Sequence, residues 1–367
     1  MHVCIIGGGA SGVFAGITIK HFDSSIDVTI LEQNNKLLKK VSKTGSGKCN
    51  IMNKNISEEY YNDFSLIEKN MDKVKIDEVI TKYGILLREG TEGRLYPYSL
   101  QAKTVCDIFI KNLNDLKVNV LLDTKVTSIK KTKNGYKLND EIDCDCLVVA
   151  TGSKAQEQTN GYELLTSLGQ KITKLEPGLV PIITKEKTSS LYGIRWKVQI
   201  NFKNETRSGE LQFRDNGLSG ICIMDLSNIL KENDVIGVDL MPEYSFNELS
   251  DLVKEKGLKF LEYTFPKNLW SEIVYRSDKS TMSILKTIKN LKYTVLKKRD
   301  YNEAQITLGG VSLKDIKDTF ESKINNNLYI TGEVIDVAGA TGGYNLYFAW
   351  LSGYICGKDI VNKKKGS

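Results

Sequence analysis

Six residues near the N-terminus, Gly7-Gly8-Gly9-Ala10-Ser11-Gly12, have the spacing G-x-G-x-x-G. Glycines at those intervals let a chain turn tightly and let its backbone approach a pyrophosphate, whose charge then faces the first amides of a helix. Glu32 follows at the distance, about 20 residues, where a carboxylate can accept hydrogen bonds from ribose hydroxyls. Together these residues describe a dinucleotide site. Further glycine-containing segments, Ala150-Thr151-Gly152, Thr331-Gly332-Glu333 and Gly339-Ala340-Thr341-Gly342-Gly343, come much later in the chain. An acid after a last strand, as Glu333 is, suits the ribityl chain of a flavin. A glycine-rich helix start carries about half a positive charge and suits the anionic pyrimidine edge of a reduced flavin. FAD is therefore the ligand expected. With no second G-x-G-x-x-G, a dedicated NAD(P)H domain is not.

Thr44-Gly45-Ser46-Gly47-Lys48-Cys49-Asn50 is a second glycine-dense loop. A thiol beside a cation, as Cys49 is beside Lys48, can deliver a proton; a packing cysteine can equally do no more than shape its loop. Arg94 precedes a Leu-Tyr-Pro-Tyr turn and can hold a phosphate or carbonyl oxygen, or form a structural ion pair. Cys144 and Cys146 alternate around Asp145 and read as core residues of a strand, as does Cys4. The chain has only two histidines, His2 and His21, so neither a Ser-His-Asp triad nor a histidine metal centre is expected.

Elements must position these groups. Val3 to Ile6 reads as a strand, Ala10 to Phe22 as a helix with Val13, Phe14 and Ile17 at helical spacing, and Asp27 to Leu31 as a second strand. Residues 57–115 read as mainly helical around Arg94 to Tyr98. Strands are expected at 118–122, 126–130 and 136–138. The unbroken apolar run 146–150 has the look of a buried parallel strand. From about 185 to 240 the pattern alternates as short strands, and from about 245 to 300 it turns helical and lysine-rich. A last strand at 328–331 and a closing helix at 344–360 complete the chain.

With 367 residues, 41% hydrophobic and 26% charged, the composition is that of a globular protein with room for two domains. No apolar run nears the ~20 residues of a membrane helix. Met1-His2 enters the first strand without a charged, cleavable leader, and seven cysteines without a C-x-x-C pair fit a reducing compartment. A cytoplasmic location without membrane contact is expected. The net charge of +6 comes from a lysine-dominated excess. Such an excess attracts polyanions, and it also arises from lysine-rich composition with no partner at all. Tyr192, Arg195, Trp196, Lys197, Arg207 and Arg214 offer charge and stacking for an RNA strand; exposed strand faces carry such residues without a partner as well.

Read in order, Gly7 to Gly12, Thr44 to Asn50, Gly93-Arg94-Leu95-Tyr96-Pro97, Pro177-Gly178-Leu179-Val180-Pro181, Thr307-Leu308-Gly309-Gly310-Val311, Gly332-Glu333-Val334-Ile335-Asp336 and Thr341-Gly342-Gly343-Tyr344-Asn345 resemble the BaiN-like (YhiN-type) flavoprotein family from end to end. The resemblance implies an α/β, two-dinucleotide-binding (Rossmann-like) core formed by residues 1–184 together with residues 305–367. Between them, 185–304 would be an inserted β-rich, substrate-facing domain with a small helical segment. The chain departs from the family at Lys48, where Arg is usual, and at Ser46 and Leu38, where Gly is common. Residues expected to hold a tightly but non-covalently bound FAD are Gly7, Gly9, Ala10, Ser11, Gly12, Glu32, Lys40, Thr44, Gly45, Gly47, Asn50, Val126, Thr151, Gly152, Gly332, Glu333, Asp336, Thr341, Gly342, Gly343, Tyr344 and Asn345. Cys49, Lys48 and Arg94 are the candidate catalytic residues, and no metal is expected. The implied chemistry is reduction of a C=C bond conjugated to a carbonyl, with NADH or NADPH as a transient electron donor. Uridine in large-subunit rRNA is the leading substrate. Alternatives are a small-molecule enone reductase, an aminoacetone-type amine oxidase, and a flavin-holding RNA-binding factor without turnover.

Overall fold

The apolar runs become one parallel sheet. In the computed structural model, which describes residues 1–157 and 159–366, β1 (His2–Ile6), β2 (Asp27–Leu31), β3 (Asn119–Leu121), β4 (Cys146–Val149) and β5 (Leu328–Ile330) stand in the order β5-β4-β1-β2-β3. Every neighbouring pair is parallel, and Ile6 lies opposite both Leu31 and Val149. The carboxyl ends of the strands therefore open along one edge of the sheet. Helix α1 (Ala10–Phe22) is buried from Ser11 through Lys20, which explains why its sequence is apolar nearly all round rather than on one stripe. The closing helix α2 (Tyr344–Gly366) crosses α1 at Gly353 and Gly357. A Cβ at Gly353 would stand 2.5 Å from the Ser11 carbonyl oxygen, so the two backbones touch there and only glycine fits.

The chain forms two units, Met1–Glu176 with Thr307–Ser367, and Pro177–Ile306. The second is built on a closed antiparallel barrel of Ile182–Thr184, Gly217–Ser219, Glu205–Arg214, Arg195–Phe202, Val235–Asp239 and Leu291–Lys298. It has its own apolar core, in which Val198, Leu211, Phe213, Val238 and Tyr293 pack with the helical residues Leu249, Leu269 and Ile284. The α/β class, the parallel Rossmann-like sheet and a separate β-rich part agree with the sequence reading.

Several elements differ from it: Leu87–Glu89 and Arg94–Pro97 are strands within 57–115, and Ile221–Ser227 is a helix within 185–240. Leu291–Lys298 is a strand rather than the end of a helical stretch: Leu291, Tyr293 and Val295 alternate inward, while the lysines that suggested a helical surface point out. The strand expected at 126–130 is shortened and shifted to Ile129–Lys131. The Asn139 side-chain oxygen accepts from the amides of Thr127 (2.8 Å) and Ser128 (3.3 Å), so those donors are spent on a side chain instead of a ladder. No helix among the described residues is long and apolar enough to cross a membrane.

Candidate cofactor-binding site

At the end of β1 the chain turns through Gly7, at φ +105°, where a Cβ would lie 2.4 Å from the Ala150 carbonyl oxygen. Gly12 is held as tightly, with a Cβ there 2.1 Å from the Gly7 oxygen. Gly9 differs from both, because nothing lies within 4 Å of a Cβ placed on it. The protein's own packing demands glycine at positions 7 and 12, and leaves open space at 9. That space faces the start of α1, whose first turn has no acidic residue and no side-chain cap. A pyrophosphate fits such a cradle by charge and by room. Glu32, at the end of β2, is buried; its carboxylate accepts from the Gly8 amide at 2.7 Å and from the Asn34 amide at 2.8 Å. The acid is thereby fixed against the glycine turn.

The ends of β4 and β5 meet the same edge. Glu333 Oε1 accepts from Ser153 Oγ at 2.6 Å and from the Thr307 amide at 3.2 Å, while Oε2 lies 3.5 Å from Lys40 Nζ. Lys40 also reaches the Ser153 carbonyl at 3.4 Å. Gly332, at φ +73°, comes so close to α1 that a Cβ would sit 2.4 Å from Ser11 Oγ. Among the described residues, the buried side-chain oxygens of Asn50, Thr151, Thr307 and Thr331 have no hydrogen-bond partner. Buried polar atoms are rarely left so; Thr151 and Thr331 follow closely on the carboxyl ends of β4 and β5, the same sheet edge as the Gly9 turn, where a polar ligand would satisfy them. The residues present fit FAD.

The loop 44–50 takes an unusual path. Gly45, Ser46, Gly47 and Cys49 all have positive φ, at +56°, +54°, +86° and +56°. Leu38 is also left-handed, at +56°. The two positions at which the chain departs from the family's glycine thus both lie in backbone that favours glycine. Cys49 is fully buried, and burial pushes its thiol up to about 11. Lys48 is exposed and forms no ion pair among the described residues.

Beside the start of α2, Arg94 pairs with Glu92 and lies with its Nε 3.7 Å from where a Gly342 Cβ would be. Tyr344 stacks on Tyr60, with ring centroids 4.3 Å apart, and burial raises its phenol well above the usual range. Asn345 spends its amide on the glycine loop, accepting from Gly339 N and donating to Gly339 O, both at 2.8 Å. Asp336 is held by Asn62 (3.0 Å) and Thr173 (2.7 Å), and the Val126 carbonyl by Asn160 (2.9 Å). Three residues here were not singled out from the sequence: Ser153, Asn53 and Tyr60. Ser153 directly follows Thr151-Gly152 and was legible as a polar residue after a buried strand. Asn53 and Tyr60 had no such signal.

In the barrel unit the basic residues considered for RNA are individually neutralised. Arg195 pairs with Glu210 (3.1 Å), Lys197 with Glu243 (2.8 Å), Arg207 with Glu205 (2.8 Å), and Arg214 with Glu303. Trp196 donates its indole N–H to the Leu240 carbonyl at 2.7 Å and packs on Phe265, while Tyr192 is exposed.

Residues 1–359 match the model of the HI0933-like protein Rossmann domain. The chain belongs to this family. A 3-dehydro-bile acid delta(4,6)-reductase of Clostridium scindens is 29% identical, with 98% of each chain covered. Ribosomal RNA dihydrouridine synthases of Haemophilus influenzae (26%, 97% of each) and Escherichia coli (25%, 98% of each) are similar over the same extent. Among solved structures, the open conformation of a flavocytochrome c3 fumarate reductase aligns with TM-score 0.51 at 14% identity, over 98% of this chain and 78% of that one. This last likeness is one of fold. The family expected from the motifs is borne out, and so is the reading of this HI0933-like chain as an FAD-dependent oxidoreductase.

Proposed function

We propose that the chain reduces a C=C bond conjugated to a carbonyl group, holding FAD non-covalently at the carboxyl edge of the parallel sheet. The observation that carries the cofactor assignment is the open cradle at Gly9, flanked by Glu32 on one side and the Lys40–Glu333–Ser153 cluster on the other. The reaction class is supported by the full-length relatives: a delta(4,6)-reductase and a dihydrouridine synthase are both named for adding hydrogen across a C=C bond.

Reduced flavin supplies the hydride equivalent when bound. The chain's residues do the rest. The first amides of α1 neutralise the pyrophosphate, Glu32 orients the ribose and Glu333 the ribityl chain. Arg94 and Lys48 supply positive charge for the carbonyl oxygen on which charge develops. Cys49, protonated at neutral pH, is the candidate acid. NADH or NADPH would be the transient electron donor, and the location would be the cytoplasm, in keeping with seven free cysteines. The test is anaerobic: FAD-loaded, pre-reduced protein is mixed with a cyclic enone such as cyclohex-2-enone, and with a uridine-containing rRNA fragment. Reoxidation of the flavin matched by saturated product supports the proposal; reduction of the oxidised flavin by an amine such as aminoacetone, with oxygen as the reoxidant, would point to an amine oxidase.

Uridine in large-subunit rRNA is the more specific reading, favoured by the names of two relatives and by the net charge of +6. The paired arginines of the barrel add nothing to it. Nucleoside mass spectrometry of large-subunit rRNA with and without the gene decides: loss of dihydrouridine on deletion, restored by the intact gene, supports RNA, and an unchanged level sends the search to small enones.

A further inference from the structure

Asn53 joins three segments of the chain that are far apart in sequence. It sits on the short strand Met52–Asn53, opposite Arg94, and only 2% of it is exposed. Its Nδ2 donates to the Gly342 carbonyl at 3.0 Å and to the Glu92 carbonyl at 3.1 Å, and its Oδ1 accepts from the Asn55 amide at 2.9 Å. One carboxamide therefore satisfies two carbonyls, one before α2 and one in the turn that carries Arg94.

The first of those bonds has a consequence for the neighbouring amide. A trans peptide is planar, with its C=O and the next N–H pointing in opposite directions. With the Gly342 carbonyl drawn toward Asn53, the Gly343 N–H must face away from Asn53. Gly342 and Gly343 have φ of +119° and +102°, so no side chain on either resists rotation of the peptide between them. The floor below is firm: a Cβ on Gly343 would lie 2.5 Å from the Met52 carbonyl carbon. The Asn53 side chain is what bonds the carbonyl of this peptide, while the Gly343 carbonyl is taken by the Tyr347 amide of α2 at 3.0 Å.

We propose that Asn53 is a positioning residue that locks the Gly342–Gly343 peptide, so that the Gly343 N–H at the start of α2 is presented to the cofactor's electron-accepting ring. The proposal rests on the FAD reading above. An N–H held toward a ring that becomes anionic on two-electron reduction stabilises the reduced form more than the oxidised one. Loss of the lock therefore weakens binding of the two forms unequally, and that difference is the midpoint potential.

The full chain, as wild type, Asn53→Ala and Asn53→Ser, is titrated with FAD by fluorescence, and its midpoint potential is read against a reference dye. Asn53→Ala is expected to lose about tenfold more affinity for reduced than for oxidised FAD, a potential about 30 mV more negative. Asn53→Ser, which keeps one donor, falls between. A merely structural role would weaken both forms alike and leave the potential where it was, and that result in either variant overturns the proposal. If Asn53→Ala does not fold, Asn53→Ser decides. If the wild type itself takes up no FAD, the cofactor reading fails and this proposal with it.

Discussion

Among the described residues of the parallel-sheet unit, Thr151, Thr307, Thr331 and Asn50 keep buried side-chain oxygens without a partner, whereas in the barrel unit Arg195, Lys197, Arg207 and Arg214 each meet a glutamate. The barrel has exceptions, the Tyr293 hydroxyl and Arg299 Nε. Glycines of both kinds occur in both units, since Gly193 and Gly257 of the barrel unit are open and Gly7 and Gly12 of the sheet unit are tight. Gly217 and Gly220 of the barrel let backbones touch, with a Cβ 1.9 Å from Ile182 O and 2.2 Å from Glu210 O; Gly9 and Gly47 of the sheet unit touch nothing. Glycine that packing requires stabilises a fold. At Gly9, with φ −81°, neither packing nor backbone requires glycine, and the room it leaves is room for something else.

The sharpest break of that comparison comes from one motif. Gly12→Ala puts a methyl 2.1 Å from a backbone oxygen, and is expected to destabilise the chain by about 3 kcal/mol and to abolish FAD uptake. Gly9→Ala is expected to change the stability of the FAD-free chain by less than about 1 kcal/mol, yet to weaken FAD binding as severely. Urea denaturation beside FAD titration measures both. Equal destabilisation by the two variants would dissolve the distinction.

Cys49 yields a pH-dependent effect. Its thiol is raised from 9.0 to about 11 by burial. The protonated form is thus favoured by the folded state; the stability it contributes is complete below about pH 9 and is lost as pH rises toward 11. Wild type should lose more stability across that window than Cys49→Ala, in denaturation series at pH 8 and pH 11. Identical slopes would mean that the thiol is not sealed off.

Smaller effects are expected in the barrel. Arg195→Ala and Arg207→Ala remove exposed ion pairs and should shift stability by less than about 1 kcal/mol. If they nonetheless cut affinity for an rRNA fragment several-fold in a salt-dependent way, the barrel is an RNA surface after all. The smallest change, Ser46→Gly, relieves an exposed left-handed residue at φ +54° and should stabilise the chain by at most about 1 kcal/mol.

What could be read from the sequence follows the same physics. The glycine cradle, Glu32 and the strand ends were legible because backbone geometry restricts residue type, and the restriction is written as spacing. The departures at Leu38 and Ser46 were visible as residues, though their left-handed backbone was not. Leu291–Lys298 was misread because its polar positions are mostly lysines, which resemble a helix surface. The glutamate partners of Arg195 and Arg214 were hidden because they lie on another strand and in a loop, whereas Glu205 lies two residues from Arg207 on the same strand. Asn53 was hidden for another reason: an asparagine's two donors serve carbonyls 39 and 289 residues away, and nothing local to it records that.

The central claim is that the open turn at Gly9 holds FAD, and its most direct test is an equilibrium titration of the FAD-free chain with FAD, wild type beside Gly9→Ala. The account predicts saturable binding by the wild type, strongly weakened in Gly9→Ala while the two proteins unfold at nearly the same urea concentration. A wild type that binds no FAD, or a Gly9→Ala variant that binds it equally well, would contradict it.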